Sequence, residues 1–265
     1  MFSPPSDVLL AIDAGNTQTV LGLYPAAERG NELLDHWRIA TSDERSSDEH
    51  ALLIGQFLAQ RGATFSDISG VVVSSTVPRL TAVLREMAER YFSVPPVVLE
   101  PGTKSGMPIL YDNPREVGAD RIANAIAAFD LYGGPCIVVD FGTATTVDAT
   151  SENGEYLGGA IMPGIEISLD ALFERAAALP RVDLSRPKRV IGKSTVASVQ
   201  AGVLFGFVDA VDGLCRRFQE ELGECTVIST GGLGDVVSPH SATIDHHEPW
   251  LTLHGLRLIY ERNAP

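Results

Sequence analysis

The sequence predicts a mixed α/β protein of two similar halves, each running β-β-β-α-β-α-β. Three observations lead there. One motif occurs twice: Leu9-Leu10-Ala11-Ile12-Asp13-Ala14-Gly15-Asn16-Thr17-Gln18-Thr19-Val20 and Ile137-Val138-Val139-Asp140-Phe141-Gly142-Thr143-Ala144-Thr145-Thr146-Val147 share an Asp, a Gly two residues on, and Thr and Val six and seven residues past the Asp. Each copy reads as a short buried strand, a tight turn and a second β-prone run, Val20 to Tyr24 in the first and Val147 to Thr150 in the second. The copies stand a domain's length apart in 265 residues, room for two domains divided as 1–114 and 115–265.

After the first hairpin, Leu33 to Ile39 reads as a third strand, followed by a polar stretch from Thr41 to Asp48. Ala51, Ile54 and Leu58 then recur at helical spacing up to Gly62. Ile68 to Val73 is β-branched and apolar, Leu80, Val83, Leu84, Met87 and Tyr91 share one helical face, and Val97 to Leu99 supplies a last strand. Past Pro101 the chain is rich in Gly and Pro until Asn113-Pro114, which reads as an N-cap with proline at the first helical position. Ile122, Ala125, Ile126 and Phe129 form the buried stripe of that helix. Asp120, two residues before Ile122, sits about 200° round the helix from it and faces away, with Arg121 beside it.

The second half repeats the plan. Strands at Cys136 to Asp140 and Thr145 to Ala149 precede a third at Glu155 to Met162, closed by Pro163-Gly164. Leu204, Phe207, Val208, Val211, Leu214, Cys215 and Phe218 mark a long helix, on which Gly202 and Gly206 indicate close packing. Thr226 to Ser229 is a strand ending in the glycine turn Thr230-Gly231-Gly232-Leu233, of a kind that lets backbone lie against a flat adenosine. Trp250 to Tyr260 is a final amphipathic helix, which is able to pack back on the first half.

The repeated turns carry the chemistry. Each glycine allows close backbone approach, Asn, Thr and backbone N–H groups are donors, and an Asp stands beside them. That set suits a phosphate with its cation: donors hold the oxygens and the carboxylate holds the metal or its waters. Taken singly, D-x-G-[NT] is also an ordinary hairpin. Two such turns from two similar halves predict a cleft with a nucleotide between them.

Composition narrows the partners. With 45% hydrophobic and 20% charged residues this is a soluble globular composition. A formal net charge of -14 argues against nucleic acid or an anionic membrane as the main partner. Cys136, Cys215 and Cys225 lie in apolar segments with no C-x-x-C or Cys/His spacing, which predicts reduced core thiols in a cytoplasmic protein and no zinc site. Met1 to Asp7 carries no Lys or Arg and the following apolar run is short, so neither a signal peptide nor a membrane span is expected there. His246-His247, with His240 nearby, reads as a solvated loop.

Two halves of this kind with turns at equivalent places resemble the actin-like ATPase (ribonuclease H-like) fold of actin, sugar kinases and Hsp70. More narrowly, the chain resembles the type III pantothenate kinases nearly end to end. The resemblance is carried by Asp13 to Thr17, Asn113-Pro114-Arg115-Glu116-Val117-Gly118-Ala119-Asp120-Arg121, Asp140 to Thr146, Gly158-Gly159-Ala160-Ile161-Met162-Pro163-Gly164 and Gly192-Lys193-Ser194-Thr195. It implies ATP-dependent phosphorylation of pantothenate to 4'-phosphopantothenate, the first step towards coenzyme A. By position it makes Asp120 the general base and wraps Asp13, Ala14, Gly15, Asn16, Thr17, Gln18, Thr19 and Val20 round the ATP phosphates, with Asp13 turned to Mg²⁺. It gives Asp140 a monovalent cation, K⁺ or NH₄⁺, and Thr143 a contact to ATP. Pantothenate falls to Tyr111, Gly118, Ala119, Asp120, Arg121 and Thr195, with Arg121 matched to its carboxylate. The resemblance also implies a homodimer. The long helix after Thr195 is apolar round much of its circumference, as a dimer face or a buried interdomain helix would be.

Two other readings fit the same fold. One is a kinase or phosphohydrolase acting on a sugar, acetate or polyphosphate, which the short chain and the G-A-D-R segment disfavour. The other is an accessory binding protein that has lost catalysis, which predicts damage at Asp13, Asp120, Arg121 or Asp140, all of which are present.

Overall fold

The computed structural model describes residues 7–25, 32–176 and 179–264; the first six residues, where neither a signal peptide nor a membrane span is expected, lie outside them. The chain forms two compact units. The first comprises Met1–Gly106, Asn113–Ala127 and Thr252–Pro265, the second Met107–Asp112 and Ala128–Leu251. This differs from a single cut at residue 114: the segment that approaches the third helix belongs partly to the second unit, while most of that helix and the final helix belong to the first.

The first unit is built on β1 (Val8–Ala14), β2 (Gln18–Pro25), β3 (Asp35–Ala40), β4 (Ile68–Ser75) and β5 (Val97–Val98), in the order β3-β2-β1-β4-β5. Central β1 pairs antiparallel with β2 and parallel with β4. Covered on both faces, it reads as an unbroken apolar run rather than an alternating one. Leu10, Ile12 and Ala14 share a core with Val71 and Val73 of β4, Ile54 and Leu58 of α1 (Ser47–Gln60), and Leu80 and Leu84 of α2 (Pro78–Met87). A capping box starts α1: Ser46 N–H donates to Glu49 Oε2 at 2.8 Å and Glu49 N–H to Ser46 Oγ at 3.3 Å. On the other face lies α7 (Leu251–Asn263), where a Cβ on Gly22 would come within 2.7 Å of Leu253 and one on Gly70 would strike the Tyr260 ring.

The second unit repeats the sheet. β6 (Cys136–Phe141), β7 (Ala144–Thr150), β8 (Tyr156–Pro163), β9 (Thr226–Thr230) and β10 (His246–His247) are ordered β8-β7-β6-β9-β10, the same sequence of positions with the same parallel and antiparallel pairings. Ile137, Val139, Phe141 and Val147 pack with Ile165 and Leu169 of α4 (Ile165–Arg175) and Leu204, Val208, Val211 and Cys215 of α5 (Thr195–Leu222). Cys136 and Cys215 are buried and Cys225 half-buried; burial pushes the first two thiols up to about 11, out of reach of thiolate chemistry near neutral pH.

Several elements differ from the sequence reading. The third strand starts at Asp35, and the helix read to Tyr91 ends as α2 at Met87 before one wider turn, Ala88–Phe92. Asn113 caps only a 3₁₀ turn, Pro114–Glu116; α3 (Ala119–Tyr132) starts afterwards. It has no one-sided stripe, because 123–128 are all buried while Ile122 and Phe129 are half-exposed. Helix α4, the short helix α6 (Gly234–Val237) and β10 carry too weak a periodicity to be read. His246-His247 is that strand rather than a loop: His247 Nδ1 lies 2.9 Å from Ser229 Oγ and Nε2 3.1 Å from Asp235 Oδ1. Gly202 and Gly206 of α5 face open space within this chain, with nothing within 4 Å of a Cβ at either. By length and composition α5 is long and apolar enough to cross a membrane, yet one side of it builds the core of the second unit.

Candidate active site

In the first unit, β1 delivers Asp13 to the end of the sheet, opposite Val20 of β2 and Ser74 of β4. The turn exposes Asn16, Thr17 and Gln18 and buries Thr19. Its carbonyls are held inward. Gln18 O accepts from Gly15 N–H at 3.0 Å, Gly15 O from Thr41 Oγ1 at 2.7 Å, Thr17 O from Thr41 N–H at 3.0 Å, and Ala14 O from Thr76 N–H at 3.1 Å. With its acceptors so occupied, the turn has a backbone suited to meeting an anion, and a carboxylate at its root suited to a hard cation. Thr41 and Thr76 were not legible as part of this site: one is a lone threonine in a polar stretch, the other lies in Ser74-Ser75-Thr76-Val77-Pro78.

In the second unit, β6 delivers Asp140 in the same way, opposite Thr146 and Thr230. The turn is one residue shorter, closed by Gly142 N–H to Ala144 O at 3.1 Å. The sequence superposition of Thr19 on Thr146 therefore slips. Asp13 pairs with Val20 but Asp140 with Thr146, so the equivalent of buried Thr19 is buried Thr145. Thr143 is exposed at the tip. The glycine turn after β9 lies against this site: Gly231 has φ +92°, and a Cβ there would strike Asp140 Oδ1 and fall 2.6 Å from Phe141 N. Only glycine meets both demands.

Gly118 to Arg121 lead into the first turn of α3, in the first unit. Asp120 folds back over Gly118 and accepts from Arg121 N–H at 2.9 Å. Open N–H ends of a helix favour a negative side chain there. Arg121 is not on a solvated outer face, as the periodicity implies: it is 7% exposed. One turn on, buried Asn124 Oδ1 accepts from Thr252 Oγ1 of α7 at 2.7 Å, and Gly255 of α7 lies directly on the Ala123 backbone, 2.9 Å from its Cα to a Cβ placed there. These contacts fix the register of the helix that carries Asp120.

Tyr111 and Thr195 belong to the second unit. Tyr111 is half-buried in a segment running beside β8, where Leu110 N–H donates to Tyr156 O at 2.8 Å; its ring is 6.3 Å from that of Tyr156. Tyr156 in turn donates to buried Asp148 at 2.7 Å. Thr195 is exposed at the first position of α5, whose start is capped by Ser194 Oγ accepting from Ala197 N–H at 3.2 Å. The predicted residues are thus divided between the two units, Asp13 to Val20 and Gly118 to Arg121 in one, and Tyr111, Asp140, Thr143 and Thr195 in the other. No group of three or more His, Cys, Asp or Glu side chains arranged for a metal occurs among the described residues.

Known proteins of two kinds match. The family profile Pan_kinase, type III pantothenate kinase, covers residues 9–217. The type III pantothenate kinase of Moorella thermoacetica is 54% identical over 258 residues, 97% of this chain and 100% of that one. That of Myxococcus xanthus is 54% identical over 97% of this chain and 99% of its own length. Among solved structures, ethanolamine utilization protein EutJ from Carboxydothermus hydrogenoformans aligns with a TM-score of 0.57 at 15% identity, covering 98% of this chain and 92% of that one. The activator of 2-hydroxyisocaproyl-CoA dehydratase from Clostridium difficile, with bound ADPNP, aligns at 0.54 and 12% identity, covering 96% and 95%. At such identities the structures establish the fold, that of the actin-like ATPases and sugar kinases. A profile spanning both turns and relatives matching over nearly their whole length establish more: the chain belongs to the type III pantothenate kinase family.

Proposed function

We propose that this protein transfers the γ-phosphoryl group of ATP to the primary hydroxyl of pantothenate, the first step towards coenzyme A, with Asp120 as the general base. Family membership supports the reaction. The observation that carries the site assignment is the inward seating of the carbonyls at Ala14, Gly15, Thr17 and Gln18, which suits the turn to a triphosphate.

Phosphoryl transfer asks for positioning and charge neutralisation more than covalent chemistry. Asp13 to Val20 hold the phosphates and Thr143 adds a contact from the second turn. Asp13 fits Mg²⁺, which when bound would neutralise charge on the triphosphate; the Asp140 carboxylate fits K⁺, which its oxygens would coordinate, or NH₄⁺, which would donate N–H hydrogen bonds to them. Tyr111, Gly118, Ala119, Arg121 and Thr195 orient pantothenate. The burial of Arg121 strengthens its pairing with the substrate carboxylate, because few waters compete for either charge. Asp120 then accepts the hydroxyl proton as the bond to phosphorus forms.

The protein acts as a homodimer in the cytoplasm. Support for the dimer lies in surfaces of the second unit: the open Gly202 and Gly206 of α5, and Ile161 on the edge strand β8, 65% exposed. Past Tyr156, where residues 108–110 pair with it, an apolar edge strand of this kind invites pairing with another chain.

Pantothenate-dependent ADP release with K⁺, NH₄⁺ or Na⁺ as the sole monovalent cation tests the cation assignment. Turnover with K⁺ or NH₄⁺ only, lost in Asp140→Asn, is expected. Equal turnover in Na⁺, or an Asp140→Asn enzyme that still responds to K⁺, would remove Asp140 from that role.

A further inference from the structure

Thr41 lies just past β3, outside every segment the motif comparison singles out, yet it makes three contacts to the first turn. Its N–H donates to Thr17 O at 3.0 Å, its hydroxyl donates to Gly15 O at 2.7 Å, and that hydroxyl lies 2.8 Å from Thr19 Oγ1. Proton counting fixes the last contact. A threonine hydroxyl has one hydrogen, and a carbonyl has none to give. The Thr41 hydrogen is on Gly15 O, so Thr19 must donate to Thr41. Thr19 then has no hydrogen for a phosphate oxygen, although it lies within the turn and is 1% exposed.

The two carbonyl contacts do more than close a loop. In a trans peptide the N–H points opposite to the C=O of the same plane. With Gly15 O and Thr17 O both drawn to Thr41, the N–H groups of Asn16 and Gln18 are aimed away from it. Two donors of a phosphate cradle are thus oriented by one side chain and its own backbone, before any ligand arrives.

We propose that Thr41 is a positioning residue for the nucleotide, setting the peptide planes of the first turn, and that Thr19 serves the site through Thr41 rather than by touching phosphate. This rests on the reading that Asp13 to Val20 hold the ATP phosphates.

The test uses the full chain with Thr41→Val, Thr41→Ser, Thr19→Val, the double variant Thr19→Val/Thr41→Val, and Asp13→Asn as a control within the turn. KM for ATP, KM for pantothenate and unfolding temperature are measured for each. Thr41→Val keeps the backbone contact and loses the hydroxyl; it should raise the ATP KM roughly tenfold, the effect of one lost hydrogen bond to the cradle, while the pantothenate KM stays within about twofold. Thr41→Ser should restore the ATP KM, and the double variant should be no worse than Thr41→Val alone, because Thr19 acts only through Thr41. An ATP KM unchanged in Thr41→Val but raised in Asp13→Asn overturns the role of Thr41 and leaves the turn assignment standing. Unchanged ATP KM in both overturns the turn assignment and this proposal with it. If Thr41→Val does not fold, a Thr41→Ser enzyme with a raised ATP KM overturns the proposal, and one of normal ATP KM beside a weakened Thr19→Val supports it.

Discussion

Replacing Gly255 by alanine should both destabilise the enzyme and slow it. A Cβ at Gly255 would collide with the Ala123 carbonyl and lie 2.9 Å from Ala123 Cα, both backbone atoms inside a buried helix. Side chains can rotate out of such a clash, but two helix backbones have to move apart. Overpacking of this kind costs about 3 kcal/mol, which in a chain of this size lowers the unfolding temperature by roughly 6–12 °C. The displacement at Ala123 is transmitted along α3 to Asp120 and Arg121 within one turn, so Gly255→Ala should also lose about tenfold or more in kcat/KM for pantothenate at temperatures where it remains folded. Differential scanning calorimetry and initial rates at 20 °C read both effects. A Gly255→Ala protein as stable and active as the parent would refute the docking of α7 on α3.

Two further outcomes follow from single sites. His50 of α1 is 1% exposed, and burial holds its imidazole down from 6.5 to about 4. The unfolded chain therefore binds the proton more readily. Stability is complete above about pH 6.5 and falls as the pH drops towards 4, by roughly 3 kcal/mol in all, so His50→Gln should flatten the unfolding temperature across that window, and an unchanged pH dependence would contradict it. Gly231→Ala, strained by its positive φ and pressed on Asp140, should unfold several degrees lower and lose activation by K⁺; wild-type behaviour in K⁺ titrations would show that the glycine turn does not support Asp140.

The central strands were legible because they are buried on both faces and read as apolar runs closed by an Asp and a Gly, twice over. From that repeat came both sheets and both turns. What escaped has particular causes. Asn113-Pro114 has the chemistry of a helix start and does cap a turn, but Val117-Gly118 interrupts it, and a cap alone does not reveal how far a helix continues. Periodicity weighs only apolar residues and so puts Arg121 on the outer face, whereas α3 is buried nearly all round. The one-residue difference between the turns was hidden by the repeated Thr-Val, which aligns in sequence but not in strand register. Thr41 and Thr76 reach the first turn from other strands' ends, and nothing local marks a threonine as bonded to a carbonyl 26 or 62 residues away. Gly202 and Gly206 promised close packing that this chain alone does not supply.

The role of Asp120 is tested most directly by pantothenate-dependent ADP release by Asp120→Asn beside the parent enzyme, in Mg²⁺ and K⁺, with the KM for ATP measured in both. Asparagine keeps the shape of the side chain and removes its capacity to take a proton. The expected result is a fall in kcat of about 10²–10⁴, the range for losing a general base, with the KM for ATP nearly unchanged. A variant that retained most of its turnover would contradict the assignment of Asp120 as the base.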